Sequence, residues 1–127
     1  VLSVTRWPKG HVLEGKVLVA TFELDGVTFQ ALNGGPQYKF TEAISLSIDC
    51  KTQAEVDHFW TRLTEDGGEP GPCGWLKDKY GVSWQVVPEQ LPRLLGDTDR
   101  AKAGRVMDAM MKMGKIEIDK LETAAKG

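Results

Sequence analysis

The most informative stretch of this chain is Glu69-Pro-Gly-Pro-Cys-Gly-Trp-Leu-Lys-Asp-Lys-Tyr-Gly-Val-Ser-Trp-Gln-Val-Val-Pro88, which predicts two strands joined by a turn. Prolines and glycines break the chain before the first strand, and Asp78-Lys-Tyr-Gly81 turns it back. In the second strand, residues 82–87, Ser83 and Gln85 alternate with Trp84, so the polar and apolar side chains point to opposite faces. Such a half-polar strand is typical of one that lines a binding site.

Four further strands are predicted upstream, over residues 1–7, 16–25, 27–32 and 43–50. Asp25-Gly26 is a hairpin signal between the second and the third. A helix follows the fourth strand, because Thr52 and Glu55 form a capping box ahead of an apolar stripe that includes Val56 and Trp60. After Pro88 the pattern changes to short helices over residues 89–95 and about 98–113, the latter capped by Asp97, and a last one begins near residue 119.

This order predicts an α+β domain built from βαβββ modules. Residues 43–88 form a nearly complete module, and residues 1–36 look like the end of a first module whose opening strand and helix are absent. Residues 89–127 form a C-terminal helical tail. At 127 residues the chain is long enough for one domain and too short for two.

Composition excludes several classes of partner. The net charge is −2 and no cluster of lysines and arginines appears, so nucleic acid and anionic membranes are poor candidates. No apolar run approaches the roughly 20 residues that span a bilayer. With only Cys50 and Cys73, a disulfide scaffold is not implied, and a reducing cytoplasm is the expected location.

Several motifs together resemble one family. They are Asn33-Gly-Gly-Pro36, Glu42-Ala-Ile-Ser45, the capped helix, Gly71-Pro-Cys-Gly-Trp-Leu-Lys-Asp78, Gly81-Val-Ser-Trp-Gln-Val-Val-Pro88, and Arg105-Val-Met-Asp-Ala-Met-Met-Lys-Met-Gly-Lys115 in the tail. They are similar to the PhnB-like proteins, often labelled 3-demethylubiquinone-9 3-methyltransferase-like, of the vicinal oxygen chelate superfamily. This superfamily also contains glyoxalase I, extradiol dioxygenases and the bleomycin-resistance proteins.

The resemblance implies paired βαβββ modules that form an open, curved sheet around a cleft, usually in a homodimer. Residues 27–32 and 82–87 are then expected in one sheet. Members typically have about one more strand and helix at the N-terminus, and that strand normally carries a metal ligand. A first module without it leaves a sheet edge uncovered, which a partner chain would cover. The Met-rich tail helix is a candidate contact.

The metal positions of the superfamily do not hold good ligands in this chain. The histidine position after Asn33-Gly-Gly-Pro36 falls at or near Ala43 or Ser45, and one glutamate position falls at Gln85. The other glutamate position is occupied by Ala31 or Asn33. Because metals prefer carboxylate, thiolate or imidazole ligands, no metal and no cofactor are predicted.

Methyl transfer is disfavoured as well. A nucleotide-type cofactor site needs a strand, a Gly-rich turn and a helix, but Gly34-Gly35-Pro36 leads into another strand. No catalytic residue is assigned. His11, His58 and Cys73 are interpreted as structural or solvated side chains.

What remains is a polar, uncharged cleft lined by Asn33, Ser45, Ser47, Ser83 and Gln85, with Trp75 as a further candidate. Such a surface suits hydrogen bonding to a small neutral or anionic organic molecule. The leading hypothesis is therefore a metal-free protein that binds a small organic ligand, as a binding protein or a diverged enzyme. The alternative is a metal-dependent lyase, isomerase or dioxygenase whose remaining ligands come from an absent N-terminal segment and a dimer mate.

Overall fold

The computed structural model describes residues 1–127 and divides them into two units, Val1–Lys39 and Phe40–Gly127. Each unit has its own sheet. None of the helices has the length and apolar composition that crossing a bilayer requires.

The first unit is an antiparallel sheet of three strands, β1 (Ser3–Arg6), β2 (Val17–Leu24) and β3 (Val27–Leu32), in the order β1-β2-β3. The predicted hairpin at Asp25-Gly26 is confirmed. Leu24 pairs with Val27 across the turn, and both turn residues have a positive φ, 47° and 79°. This is the backbone of the tight turns that match the twist of a hairpin, and Gly26 adopts it without a steric cost.

The second unit contains a complete βαβββ module. Its strands are β4 (Leu46–Cys50), β5 (Glu69–Pro70), β6 (Trp75–Lys77) and β7 (Ser83–Pro88), in the sheet order β4-β7-β6-β5. β4 and β7 are parallel, whereas the other pairs are antiparallel. A parallel pair needs a long crossover connection, which here includes helix α1 (Gln53–Thr64), β5 and β6.

Helix α1 covers one face of this sheet. The Thr52 hydroxyl accepts a hydrogen bond from the Glu55 amide at 3.2 Å, as predicted, while the Glu55 carboxylate accepts one from the Lys51 amide. The apolar stripe of the helix, centred on the buried Val56, packs against Cys50, Leu76 and Val86 of the sheet. This core fixes which side chains of β4, β6 and β7 face away from the helix.

The C-terminal tail consists of three helices, α2 (Gln90–Leu95), α3 (Arg100–Met110) and α4 (Ile118–Lys126), which share a hydrophobic core of their own. The predicted cap of the middle helix was wrong by two residues. Asp99 caps α3 by accepting hydrogen bonds from two backbone amides, whereas the Asp97 carboxylate accepts one from the Asp99 amide and pairs with Lys102. Asp97 therefore stabilises the turn ahead of the helix.

Two other expectations about the sheets were wrong. Strand β4 begins at Leu46 and not at residue 43, because the preceding residues form a turn. β3 and β7 belong to separate hydrogen-bonded sheets, so the expectation that they share one curved sheet does not hold. The connecting segment 33–45 makes no strand pairing that would join the two ladders.

Candidate functional site on the second sheet

The register of the second sheet assembles a polar face opposite α1. On β7, Ser83 and Gln85 alternate with Trp84 and Val86, and the latter two belong to the core beneath α1. Across the ladders, Ser83 pairs with Lys77, and Gln85 pairs with Trp75 on one side and Ser47 on the other. Because directly opposite residues of a sheet project from the same face, these five side chains share one surface.

One hydrogen bond organises the β4 side of this face. The side-chain nitrogen of Gln85 donates to the Ser45 hydroxyl at 2.9 Å. Ser45 directly precedes β4 and is half-buried, whereas Ser47, two residues further on, is exposed. The amide oxygen of Gln85 accepts no hydrogen bond from the protein, so it is available as an acceptor on the face.

A pocket of about 180 Å³ opens on the β5 side of the same face. Residues 69–72 form one wall, and the remaining lining residues are Glu42, Trp75, Leu76, Lys77 and Ser83. Ser83 is only 2% exposed, and its hydroxyl has no hydrogen-bond partner in the protein. A buried hydroxyl without a partner costs about 1–3 kcal/mol, and such groups are therefore rare in folded proteins.

The sequence predicted an uncharged face, and this prediction was wrong. Lys77 lies on it, directly opposite Ser83, and its amino group forms an ion pair with the Glu42 carboxylate. The hydrogen bond from Lys77 lowers the pKa of Glu42, and the same bond raises the pKa of Lys77. The position of Lys77 follows from the alternation Trp75-Leu76-Lys77, but Glu42 belongs to a loop and carries no sequence signal for this contact.

The loop that forms the pocket wall is held by the C-terminal tail. The amides of Cys73 and Gly74 donate to the backbone oxygens of Met113 and Gly114, both at 2.8 Å. Cys73 and Gly74 both have a positive φ, 56° and 83°, so this loop follows a backbone path that few side chains favour. The tail thereby fixes the chain immediately before Trp75.

Asn33 belongs to the first unit. It is exposed at the end of β3, its side-chain nitrogen donates to the Val17 backbone oxygen at 3.1 Å, and its role in ligand binding stays a prediction. In the same unit, the His11 ring stacks on Trp7 with the ring centroids 4.1 Å apart, which orders the loop between β1 and β2.

The side chains present do not fit a metal site. No three His, Cys, Asp or Glu side chains lie close enough together to hold an ion. At the ligand positions that the resemblance implied, Gln85 offers only an amide, which already donates to Ser45, and Ala43 offers no ligand atom. Cys50 is fully buried, and burial raises the pKa of its thiol to about 11, so it is a poor metal ligand or nucleophile.

Two comparisons with known proteins identify the family. The family model of 3-demethylubiquinone-9 3-methyltransferase matches residues 1–87. The solved structure of a PhnB protein from Bacillus cereus is 34% identical and superimposes with a TM-score of 0.59, covering 68% of this chain and 77% of that one. No curated protein matches the chain. The chain therefore belongs to the 3-demethylubiquinone-9 3-methyltransferase family of PhnB-like proteins.

Proposed function

We propose that the polar face of the second sheet binds a small organic ligand through Ser45, Ser47, Trp75, Ser83 and Gln85, without a metal ion. The observation that carries the proposal is Ser83, a residue that lines a pocket and whose buried hydroxyl has no partner in the protein. A ligand that bonds to this hydroxyl removes the cost of leaving it unpaired, so binding gains free energy there. Trp75 adds an apolar surface beside it.

The proposal is one of binding, and it assigns no catalytic step. The family carries the description of a methyltransferase, but this chain has no strand, Gly-rich turn and helix in sequence of the kind that nucleotide-type cofactors need. The same α+β fold hosts binding proteins and enzymes alike, so the fold does not decide between them. Cys50 and Cys73 are free thiols, which supports our expectation of a cytoplasmic protein.

The protein is further proposed to act as a homodimer. No residue of the first unit is buried, and large apolar side chains such as Val27 and Leu32 on β3 are exposed. In the tail, Met107 and Met111 are also exposed, whereas Met113 is part of the core. Exposed apolar patches of this kind favour association.

Light scattering should give twice the chain mass for the wild type, and the double variant Met107→Lys and Met111→Lys should shift the measured mass towards that of the monomer. A monomeric wild type at high concentration contradicts the dimer.

Ligand binding is tested by a thermal-shift screen of small organic molecules. A ligand that binds only the folded state stabilises it by about 2.7 kcal/mol at a concentration of 100 Kd. Gln85→Ala and Ser45→Ala should reduce the shift, because they remove both ends of the hydrogen bond that orders the face. Gln37→Ala, an exposed glutamine of the first unit, is the matched control. If the shift is unchanged in both face variants, the binding surface lies elsewhere.

The metal-dependent alternative is tested by elemental analysis of protein purified without chelator. The proposal predicts less than stoichiometric metal. Stoichiometric zinc, nickel, iron or manganese would overturn the metal-free part of the proposal.

A further inference from the structure

We infer that the pocket takes an oxyanion, such as the carboxylate or phosphate group of a ligand, on Lys77 and Ser83, and that Glu42 is a tethered competitor for Lys77. This inference rests on the proposed function, because it names the chemical class of the ligand for the same face.

The two donors are fixed by the sheet. Lys77 on β6 and Ser83 on β7 are direct cross-strand partners, and both line the pocket. Such partners have Cβ atoms about 4.5–5.5 Å apart, so the two oxygens of one anionic group can reach an amino group and a hydroxyl together. The Ser83 hydroxyl is buried and has no acceptor in the protein. An oxygen of the ligand supplies that acceptor.

The contact with Glu42 shows that the Lys77 amino group binds a carboxylate. The Glu42 carboxylate contacts the Lys77 amino group, and this is the contact that we infer for a carboxylate of a ligand. Glu42 lies in the segment that connects β3 to β4, outside any strand or helix, and its side chain is 62% exposed. The carboxylate can therefore leave Lys77 without breaking a backbone hydrogen bond of the sheet.

Because of the charges in the pocket, an anionic ligand has to replace Glu42 at Lys77 and does not simply bind beside it. Glu69 is the cross-strand partner of Lys77 on the other side, so two carboxylates flank a single lysine. An anion added to this set faces a net negative charge, whereas an anion that replaces Glu42 leaves the charge near Lys77 unchanged. Glu42 therefore lowers the affinity for an anion by the strength of its own contact with Lys77.

The test is a titration with two probes, sodium acetate and inorganic phosphate, at constant ionic strength. Binding is followed by the backbone amide signals of β6 and β7 in two-dimensional NMR. The variants are Glu42→Gln, Lys77→Gln and Ser83→Ala. Lys79→Gln is the matched control, because Lys79 pairs with Asp66 and does not line this pocket.

Glu42→Gln should bind the preferred probe about 1.4- to five-fold more tightly, the range set by exposed ion pairs. Lys77→Gln should lose saturable binding, Ser83→Ala should bind more weakly, and Lys79→Gln should behave as the wild type. Preference for acetate or for phosphate identifies the anionic group of the ligand. Binding that is unaffected by Glu42→Gln, or that survives Lys77→Gln, overturns the inference.

The outcome is separable from that of the proposed function. A ligand from the thermal-shift screen that still depends on Gln85 and Ser45, but is indifferent to Glu42→Gln and Lys77→Gln, leaves the binding face in place and refutes the anion site. A cationic ligand that weakens in Glu42→Gln refutes it in the same way. Loss of dependence on Gln85 and Ser45 refutes the proposed function itself.

Discussion

Replacing Ser83 by alanine should stabilise the protein, which is the opposite of the usual result for a buried residue. The hydroxyl is almost fully buried and has no partner in the protein, so its burial costs about 1–3 kcal/mol. Alanine removes that cost and gives up only the packing of a single oxygen atom. We expect the free energy of unfolding to rise by about 1 kcal/mol, which corresponds to an increase in Tm of about 3–5 °C for a chain of this size.

The same substitution should weaken ligand binding. A hydrogen bond contributes a net 0.5–1.5 kcal/mol, or roughly two- to twelve-fold in Kd. Stability is measured by urea unfolding and affinity by calorimetric titration with a ligand from the screen. Ser47→Ala is the matched control for stability, because Ser47 is exposed on the same face and should change it by less than about 0.5 kcal/mol.

A loss of stability would refute this reasoning. If Ser83→Ala lowers the free energy of unfolding by more than about 1 kcal/mol, the hydroxyl is bonded in the ligand-free protein and serves the fold. Greater stability combined with unchanged affinity would place the ligand away from Ser83.

Three further predictions concern the tail, the loop and the core. Gln53→Met should lower the free energy of unfolding by about 1–3 kcal/mol, because it removes two hydrogen bonds that tie α1 to the tail. Gln53 donates one to the Ile116 backbone oxygen and accepts the other from the Ile118 amide at 2.8 Å. Slow hydrogen exchange at Ile118 in the variant would contradict this. In urea unfolding, Gly74→Ala should lower the free energy of unfolding more than Gly81→Ala does. Both positions have a positive φ, but only at position 74 would a Cβ meet other atoms at 3.1 Å. Equal losses in the two variants would show that packing at position 74 is unimportant. Burial raises the pKa of Cys50 to about 11. Its neutral thiol therefore contributes stability that is complete below about pH 9 and is lost as the pH rises towards 11. If the free energy of unfolding of Cys50→Ala falls equally steeply over this pH range, the assignment is contradicted.

Local signals in the sequence predicted much of the fold. The Asp25-Gly26 hairpin and the Thr52 cap depend on residues close together in the chain, and the structure contains both. The faces of β7 also follow from local alternation, because a period of two is a property of any strand. The placement of Gln85 away from α1 needed no knowledge of the partner strands.

The parts that the sequence missed depend on contacts between distant residues. Glu42 reaches Lys77 from a loop, so no periodicity predicts the ion pair that gives the face its charge. The amide of Gly74 is bonded to Gly114 of the tail, a contact that no local pattern encodes. The cap of α3 was misassigned for another reason. Asp97 and Asp99 are equally good caps by residue type, and only the geometry of the turn selects one of them.

The binding face itself is tested most directly by mapping a ligand from the thermal-shift screen onto the protein by NMR. We expect the largest chemical-shift changes at the side-chain amide of Gln85, the indole of Trp75 and the backbone amide of Ser83. The tail helices α2–α4 and the exposed side of α1 should change little. Shifts confined to the tail or to the helix side of the sheet would contradict the account, because they would show that the polar face does not hold the ligand.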